Sequence, residues 1–225
     1  MAPMRAGFCL GLGLMLSAAS VRADEALWVA GIVQGPVSKQ ALGGKLVTWL
    51  EVQPRFTGSA DNLILRPALG VQINPKVQLL LGYALIDTYP DAAARRREHR
   101  IWQQALVRLA GEPGKAMLLS RTRLEQRLVE GQSDDAMRLR QFLRGQYWFD
   151  KKWSVIGVSE AFIGLESTAW GQRAGLEQVR SFAGVGHAFT DRLTLEAGYL
   201  NQRIVRSGPD TANHVLNLNL FYRIG

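Results

Sequence analysis

Apolar and polar residues alternate with a period of two in segment after segment of this chain. Leu50, Val52, Pro54 and Phe56 interleave with Glu51, Gln53 and Arg55, and near the far end Leu216, Leu218, Leu220 and Tyr222 interleave with Asn217, Asn219 and Arg223. Alternation of this kind places one set of side chains on each face of a β-strand. Strand-length runs lie near 27–34, 45–56, 62–73, 77–86, 98–110 and 116–129, then near 136–149, 153–164, 177–189, 192–203 and 213–224. Two of these also carry apolar residues every fourth position. Ile101, Ala105 and Leu109 do so with Trp102 and Leu106, as do Leu124 and Leu128. Helices there would bury Arg121, Arg123 and Arg127 and break the rhythm of the connections, so strands are expected.

That rhythm alternates short and long. Asn74-Pro75-Lys76, Gly111 to Lys115, Asp150-Lys151-Lys152 and Thr190-Asp191-Arg192 are tight and rich in turn residues. Asp87 to Arg97, Glu130 to Asp135, Glu166 to Gly175 and Arg206 to Ala212 are longer and polar. Short turns at one end and long loops at the other are the habit of outer-membrane barrels. The expected fold is therefore all-β, an antiparallel transmembrane β-barrel of about ten to twelve strands. Ten runs from 45 onward start and finish on one side. The run at 27–34 makes an eleventh, which pairs with an unseen strand, splits in two, or lies against the barrel.

The first residues read as an export signal. Arg5 is followed by an apolar stretch from Phe8 to Ala19 and by the small residues of Val21-Arg22-Ala23. The stretch is too short to span a bilayer as a helix. The expected organisation is a signal peptide over 1–23, cleaved after Ala23 on the Sec pathway, and one barrel domain over 24–225. Cys9, the only cysteine, leaves with the signal, so no disulfide, thiolate nucleophile or Cys-based metal site is expected. The formal charge of +8 drops by two when Arg5 and Arg22 leave. For an exported chain this excess points away from nucleic acid and toward lipopolysaccharide phosphates, acidic glycans or small anions. Mean hydropathy close to zero suits a soluble domain and a barrel equally, since lipid-facing and lumen-facing residues average out.

Charge sharpens the picture. One strand face collects Glu51, Arg55, Arg66, Glu98, Arg100, Arg108, Arg121, Arg123, Glu125, Arg127, Arg138, Arg140, Arg144, Glu160, Arg180, Glu196 and Gln202. The other holds mainly Leu, Val, Ile, Ala, Phe and Tyr. An arginine on the lipid face at mid-bilayer costs about 2–4 kcal/mol, so these residues belong inside, where arginine outnumbers carboxylate. They either plug the barrel as a salt-bridge ladder or line a narrow anion-selective pore. Most tryptophans and tyrosines fall near segment ends, as an interfacial girdle requires, while inward ones such as Trp102 fill the lumen. The glycines of Ala183-Gly184-Val185-Gly186 and Ala197-Gly198-Tyr199 sit within strands and lack the strand–loop–helix setting of a phosphate site.

Several longer motifs resemble the DUF2490 family in content and order: Glu51-Val52-Gln53-Pro54-Arg55-Phe56, Arg66-Pro67-Ala68-Leu69-Gly70, Glu98-His99-Arg100-Ile101-Trp102-Gln103-Gln104, Ser120-Arg121-Thr122-Arg123-Leu124-Glu125-Gln126-Arg127, Arg138-Leu139-Arg140, Glu196-Ala197-Gly198-Tyr199-Leu200-Asn201-Gln202 and Asn213-His214. The resemblance spans nearly the whole chain after the signal. It implies a Gram-negative outer-membrane barrel of unestablished biochemical role. The chain departs from the habit of such barrels in ending Phe221-Tyr222-Arg223-Ile224-Gly225 rather than on an aromatic residue.

Catalysis has little to work with. Only His99, His187 and His214 are available, and the last two fall on the lipid-facing parity. His99 follows Arg95-Arg96-Arg97 beside Glu98, while Ser120 lies at the other end of the same hairpin, out of reach of a general base. No cofactor and no metal site are expected. The functional expectation is a structural barrel or a small anion or solute channel in the outer membrane. Its partners would be membrane lipid, lipopolysaccharide, the assembly machinery and a small anionic solute. A lipid A-modifying or lipopolysaccharide-binding barrel, motivated by Arg95-Arg96-Arg97 in a long loop, is the alternative, and a soluble periplasmic β protein is a third reading.

Overall fold

Alternating sequence closes here into a single ring of strands. The computed structural model describes residues 22–37 and 44–225, all in strands, turns and loops. Residues 1–21, and with them most of the expected signal segment, lie outside the described residues. The strands are β1 (Arg22–Pro36), β2 (Lys45–Thr57), β3 (Ala60–Asn74), β4 (Val77–Pro90), β5 (Arg96–Gly111) and β6 (Ala116–Val129), followed by β7 (Ala136–Trp148), β8 (Trp153–Gly164), β9 (Gly175–Ala188), β10 (Leu193–Ile204) and β11 (Thr211–Arg223). Each pairs with its neighbours in sequence, and β1 closes the barrel against β11. Strands of 12 to 16 residues exceed the about 9–11 that a tilted strand needs to cross a bilayer.

The strand count falls inside the expected range, but the eleventh run takes none of the three places considered for it. It is a full wall strand, and its pairing with β11 is parallel, from Arg22 opposite Thr211 to Gln34 opposite Arg223. All other pairs are antiparallel. The odd count follows: ten hairpin-linked strands leave two raw edges, and β1 occupies the gap with its backbone groups paired on both sides. Arg22 and Ala23, on the expected signal side of the cleavage point, already belong to β1.

The tight turns share one device. The Asn74 side chain accepts from the Lys76 and Val77 amides at 2.8 and 3.1 Å, Asp150 from Lys152 and Trp153 at 2.7 and 2.6 Å, and Thr190 from Arg192 and Leu193 at 3.2 and 3.0 Å. A short side chain that mimics a backbone carbonyl reverses the chain in two or three residues. Those amide bonds also hold the exposed Asp150 carboxyl below the usual aspartate range. In the fourth tight turn Gly111 and Gly114 supply positive φ, 74° and 83°. At the other mouth the connections are long, save for Gly58-Ser59 between β2 and β3.

Outward positions carry exposed Leu50, Val52, Leu63, Leu65, Leu81, Val185, Leu216 and Leu220. Tyr147, Phe149, Trp153, Phe189 and Tyr222 ring the short-turn mouth, and Phe56 and Tyr89 stand at the long-loop mouth. Inside, two apolar patches face the axis. Val47, Ile64, Ala68, Leu80, Ala84, Ile86 and Trp102 line β2 to β5, and Trp28, Ile156, Phe182, Leu200 and Val215 line β1 and β8 to β11. The wall from β5 to β8 is charged.

Trp102 is fully buried because its strand partner is a glycine: Gly82 lies opposite it, and a Cβ there would overlap the indole ring. Gly82→Ala is expected to destabilise the folded barrel by about 1–3 kcal/mol, the usual cost of overpacking. Gly145→Ala, where nothing lies within 4 Å of the added methyl, should leave stability unchanged. Urea unfolding of refolded protein, followed by the mobility difference between heated and unheated samples on gels, measures both.

Candidate functional site

The charged residues of the interior come from inward positions two apart on neighbouring strands. Strand register sets like charges opposite one another, Arg100 facing Arg127 and Arg123 facing Arg140. Direct opposition of this kind is destabilising unless a counter-charge intervenes. Glutamates intervene. Glu98 accepts from Arg100 at 2.7 and 3.0 Å and from Arg127 at 2.6 and 3.2 Å. One oxygen of Glu125 accepts from Arg140 at 2.7 Å, and the other accepts from Arg138 at 2.6 Å with Arg100 at 3.5 Å. Glu160 takes Arg140 at 2.8 Å and Arg121 at 2.5 Å. Arg127, Glu98, Arg100, Glu125, Arg140, Glu160 and Arg121 thereby form one unbroken ionic chain around the β5–β8 wall. Trp102, Arg123 and Glu125 are 0%, 1% and 1% exposed, so side chains pack closely along this stretch of the inner wall.

All seventeen residues expected to face the lumen have buried or half-buried side chains, but they do not form one cluster. Glu51 pairs with Arg66 at 2.6 Å, and Arg144 with Glu196 at 2.5 Å, as separate bridges. Gln202 belongs to an amide group, donating to Gln178 at 2.5 Å and accepting from Asn213 at 3.2 Å. Among the described residues Arg55 and Arg180 make no ion pair. Their guanidinium groups stand over aromatic rings: Arg55 lies 4.0 Å from the Trp28 centroid, and Arg180 lies 4.8 Å from Trp28 and 4.5 Å from Phe162. Arg123 lies 4.1 Å from Trp102 and donates to Gln104 at 2.6 and 2.9 Å. Aromatic faces take up the guanidinium charge where carboxylates run out. Trp102 and its counterparts therefore bind cations as well as filling space.

The loop from 165 to 174 covers one sector of the long-loop mouth. Gln172, 2% exposed, accepts from Arg127 at 2.9 Å and donates to the carbonyls of Met137 and Glu166 at 2.9 and 3.1 Å. Trp170 donates to the Asp134 carbonyl at 2.6 Å, with Arg96 and Arg127 over its ring at 5.2 and 4.9 Å. Glu177 adds a sixth inward carboxylate, 3.7 Å from Arg138. Sequence reasoning missed Gln172, Gln104, Glu177 and the pairing role of Trp28. Gln104 and Trp28 share the inward parity and were legible from it, whereas nothing in the alternation marks a loop residue such as Gln172.

The rim differs from expectation. Arg95 and Arg97 both hold the buried Asp87, at 2.5 and 2.9 Å, so two charges of the Arg95-Arg96-Arg97 run are compensated. Asp87 in turn keeps the Arg95 guanidinium above its ordinary pKa. Asp210, held by Arg203 at 2.6 Å and by the Arg206 amide, sits below the usual aspartate range. His99 bridges the Tyr83 hydroxyl at 2.5 Å and Glu130 at 3.1 Å, His214 meets the Tyr199 hydroxyl at 2.5 Å, and His187 stacks between Trp153 and Phe189. All three are outward residues bordering the apolar band. Among the described residues no cluster of His, Cys, Asp or Glu is arranged to hold a metal ion.

Comparison with known proteins adds a family. The chain belongs to the DUF2490 family, described as a protein of unknown function, which matches residues 25–213. An uncharacterized protein of Methylorubrum extorquens is 37% identical over 227 residues, covering 97% of this chain and 96% of that protein. Among solved structures, a KdgM porin in complex with disordered oligogalacturonate aligns over 82% of this chain and 93% of its own, with a TM-score of 0.46 and 9% identity.

Glu125 anchors the waist, and its loss strands several arginines in a dry interior. Glu125→Ala is expected to destabilise the barrel by about 3–5 kcal/mol, as breaking one side of a buried ion pair does. Glu112→Ala, which breaks only the exposed pair with Lys115, should give no measurable change in the same unfolding assay.

Proposed function

We propose that this DUF2490 barrel resides in the outer membrane and carries a structural plug of arginine and glutamate, with surplus positive charge that restricts any traffic to small anions. The observation that carries this reading is the near-zero exposure of Trp102, Arg123 and Glu125 at the waist. Side chains buried this deeply inside the ring of strands support a filled interior rather than a wide aqueous path for a sugar or peptide. The apolar outer belt, the aromatic rings at both mouths and the strand lengths support placement in a bilayer. The export signal read from the first residues supports the outer membrane.

A lipid-acting enzyme is the competing reading, and the hydrogen-bonded row of Tyr83, His99 and Glu130 at the lipid-facing rim is the observation that favours it. An acid–base group needs a nucleophile in reach. Ser120 pairs with Val107 in the β5–β6 hairpin, eight rungs from His99 and out of its reach. The row is better suited to anchoring the barrel at the interface.

Refolded protein in a planar bilayer is expected to show little or no steady current. Removing charge of both signs from the waist in the double variant Arg123→Ala/Glu125→Ala should admit discrete, anion-favouring openings. Large or cation-selective conductance in the unmodified barrel would overturn the plug. Lipid A mass spectra from cells with and without the protein are expected to be identical, and a new lipid A species would favour the enzyme.

A further inference from the structure

Among the described residues, Arg55 and Arg180 of the interior have no carboxylate within salt-bridge distance, and both stand over one ring. Glu160 faces Arg180 across the β8–β9 pair, yet its carboxylate is turned to Arg121 and Arg140. Arg55 donates only to the Gln53 side chain, at 2.7 and 3.1 Å. Trp28, 4% exposed, lies between their strands with its indole NH buried and without an acceptor, and the Nε of Arg180 is likewise unpartnered. Buried donors of this kind nearly always find an acceptor in folded proteins. Aromatic faces stabilise the guanidinium plane but leave its in-plane N–H donors unused.

We propose that Arg55, Arg180 and Trp28 form a binding site for a small oxyanion, such as phosphate or a carboxylate, inside the long-loop half of the barrel. An oxyanion offers several acceptor lone pairs within one small volume. Bound there it takes donors from the unpartnered Nε edge of Arg180, from the guanidinium N–H groups of Arg55 that Gln53 leaves free, and from the indole NH, and it places negative charge beside two guanidinium groups that have no carboxylate at salt-bridge distance. Access comes from the mouth. Arg55 stands two residues from the end of β2, where the link to β3 is the two-residue turn Gly58-Ser59, so the rim is lowest on that side. The covering loop at 165–174 lies over Arg127 instead. The inference deepens the plugged-barrel reading and rests on it: in a filled interior the anion has a fixed seat rather than a stream of water.

Isothermal titration of the refolded barrel in detergent with inorganic phosphate, at low ionic strength, tests the site. Saturable binding near one phosphate per barrel is expected. It should weaken about tenfold or more in Arg180→Ala and in Arg55→Ala, the scale of losing one charge-assisted fork. Arg180→Lys should fall between, and Arg173→Ala, which removes an exposed loop charge, should match the parent. Trp28→Phe keeps the ring face and removes only the NH, so it reports on the site if an arginine variant fails to fold, and weaker binding is expected there too. Absence of saturable binding, or equal binding in Arg180→Ala and Arg173→Ala, overturns the site. Bilayer conductance on the same preparation separates the two readings. A silent barrel that binds no phosphate overturns the site alone, and an open, unselective pore that binds none overturns both.

Discussion

A buried carboxylate shared among arginines is the constraint on which this barrel turns. Glu125 has both oxygens occupied by cations from the two strands that flank it, β5 and β7, so no single bridge explains its position. Each charge removed from water carries a penalty of several kcal/mol, which only several well-placed partners offset. That requirement reaches outward. The strands bearing Arg100, Glu125, Arg138 and Arg140 have to meet in one register, because a slip of one residue would turn every one of these charges into the lipid. The ionic chain therefore does less to strengthen the fold than to single out one arrangement of β5 to β8.

Carboxylates alone do not suffice, and the interior shows a second way of seating a guanidinium. Phe162 has Arg140 and Arg180 within 4.5 Å of its centroid, and Trp102 and Trp28 serve Arg123 and Arg55 in the same manner. A ring face adds no negative charge, so the excess of arginine over carboxylate in the interior stands as an electrostatic bias inside the lumen. The two apolar patches flanking the charged wall exclude water from these contacts and raise their strength. Function, in this reading, follows from that bias: cations and large solutes are refused, and the residual affinity is for negative oxygen.

Much of this was legible in the alternation itself. All eleven strands coincide with runs visible in the sequence, because a wall with lipid on one side and an enclosed lumen on the other holds to period two, broken only locally by bulges such as those at Gln72/Asn74, Arg108/Ala110 and Phe162/Ile163. The parity of Glu51, Arg123 and Glu160 followed for the same reason. Other features obey no local rule. The choice of Arg121 and Arg140 over Arg180 by Glu160 depends on side-chain reach across the barrel. The descent of Gln172 into the mouth depends on a loop whose polar composition is common to many loops. The role of β1 depends on ring closure, which is a property of all the strands together.

The parallel seam has a consequence for the chain as a covalent object. Because β1 and β11 run the same way over thirteen paired residues, the start of one and the end of the other emerge at opposite mouths. In a barrel closed by antiparallel strands those points are neighbours, and a short linker could join them while a new break is opened elsewhere. Here a linker has to travel the length of the wall, about 40 Å at 3.3 Å per residue. Circular permutation, cheap in even-stranded barrels, is topologically expensive in this one. The seam is also the one strand pair in the ring that no turn can template, so it forms only after both distant strands are in place.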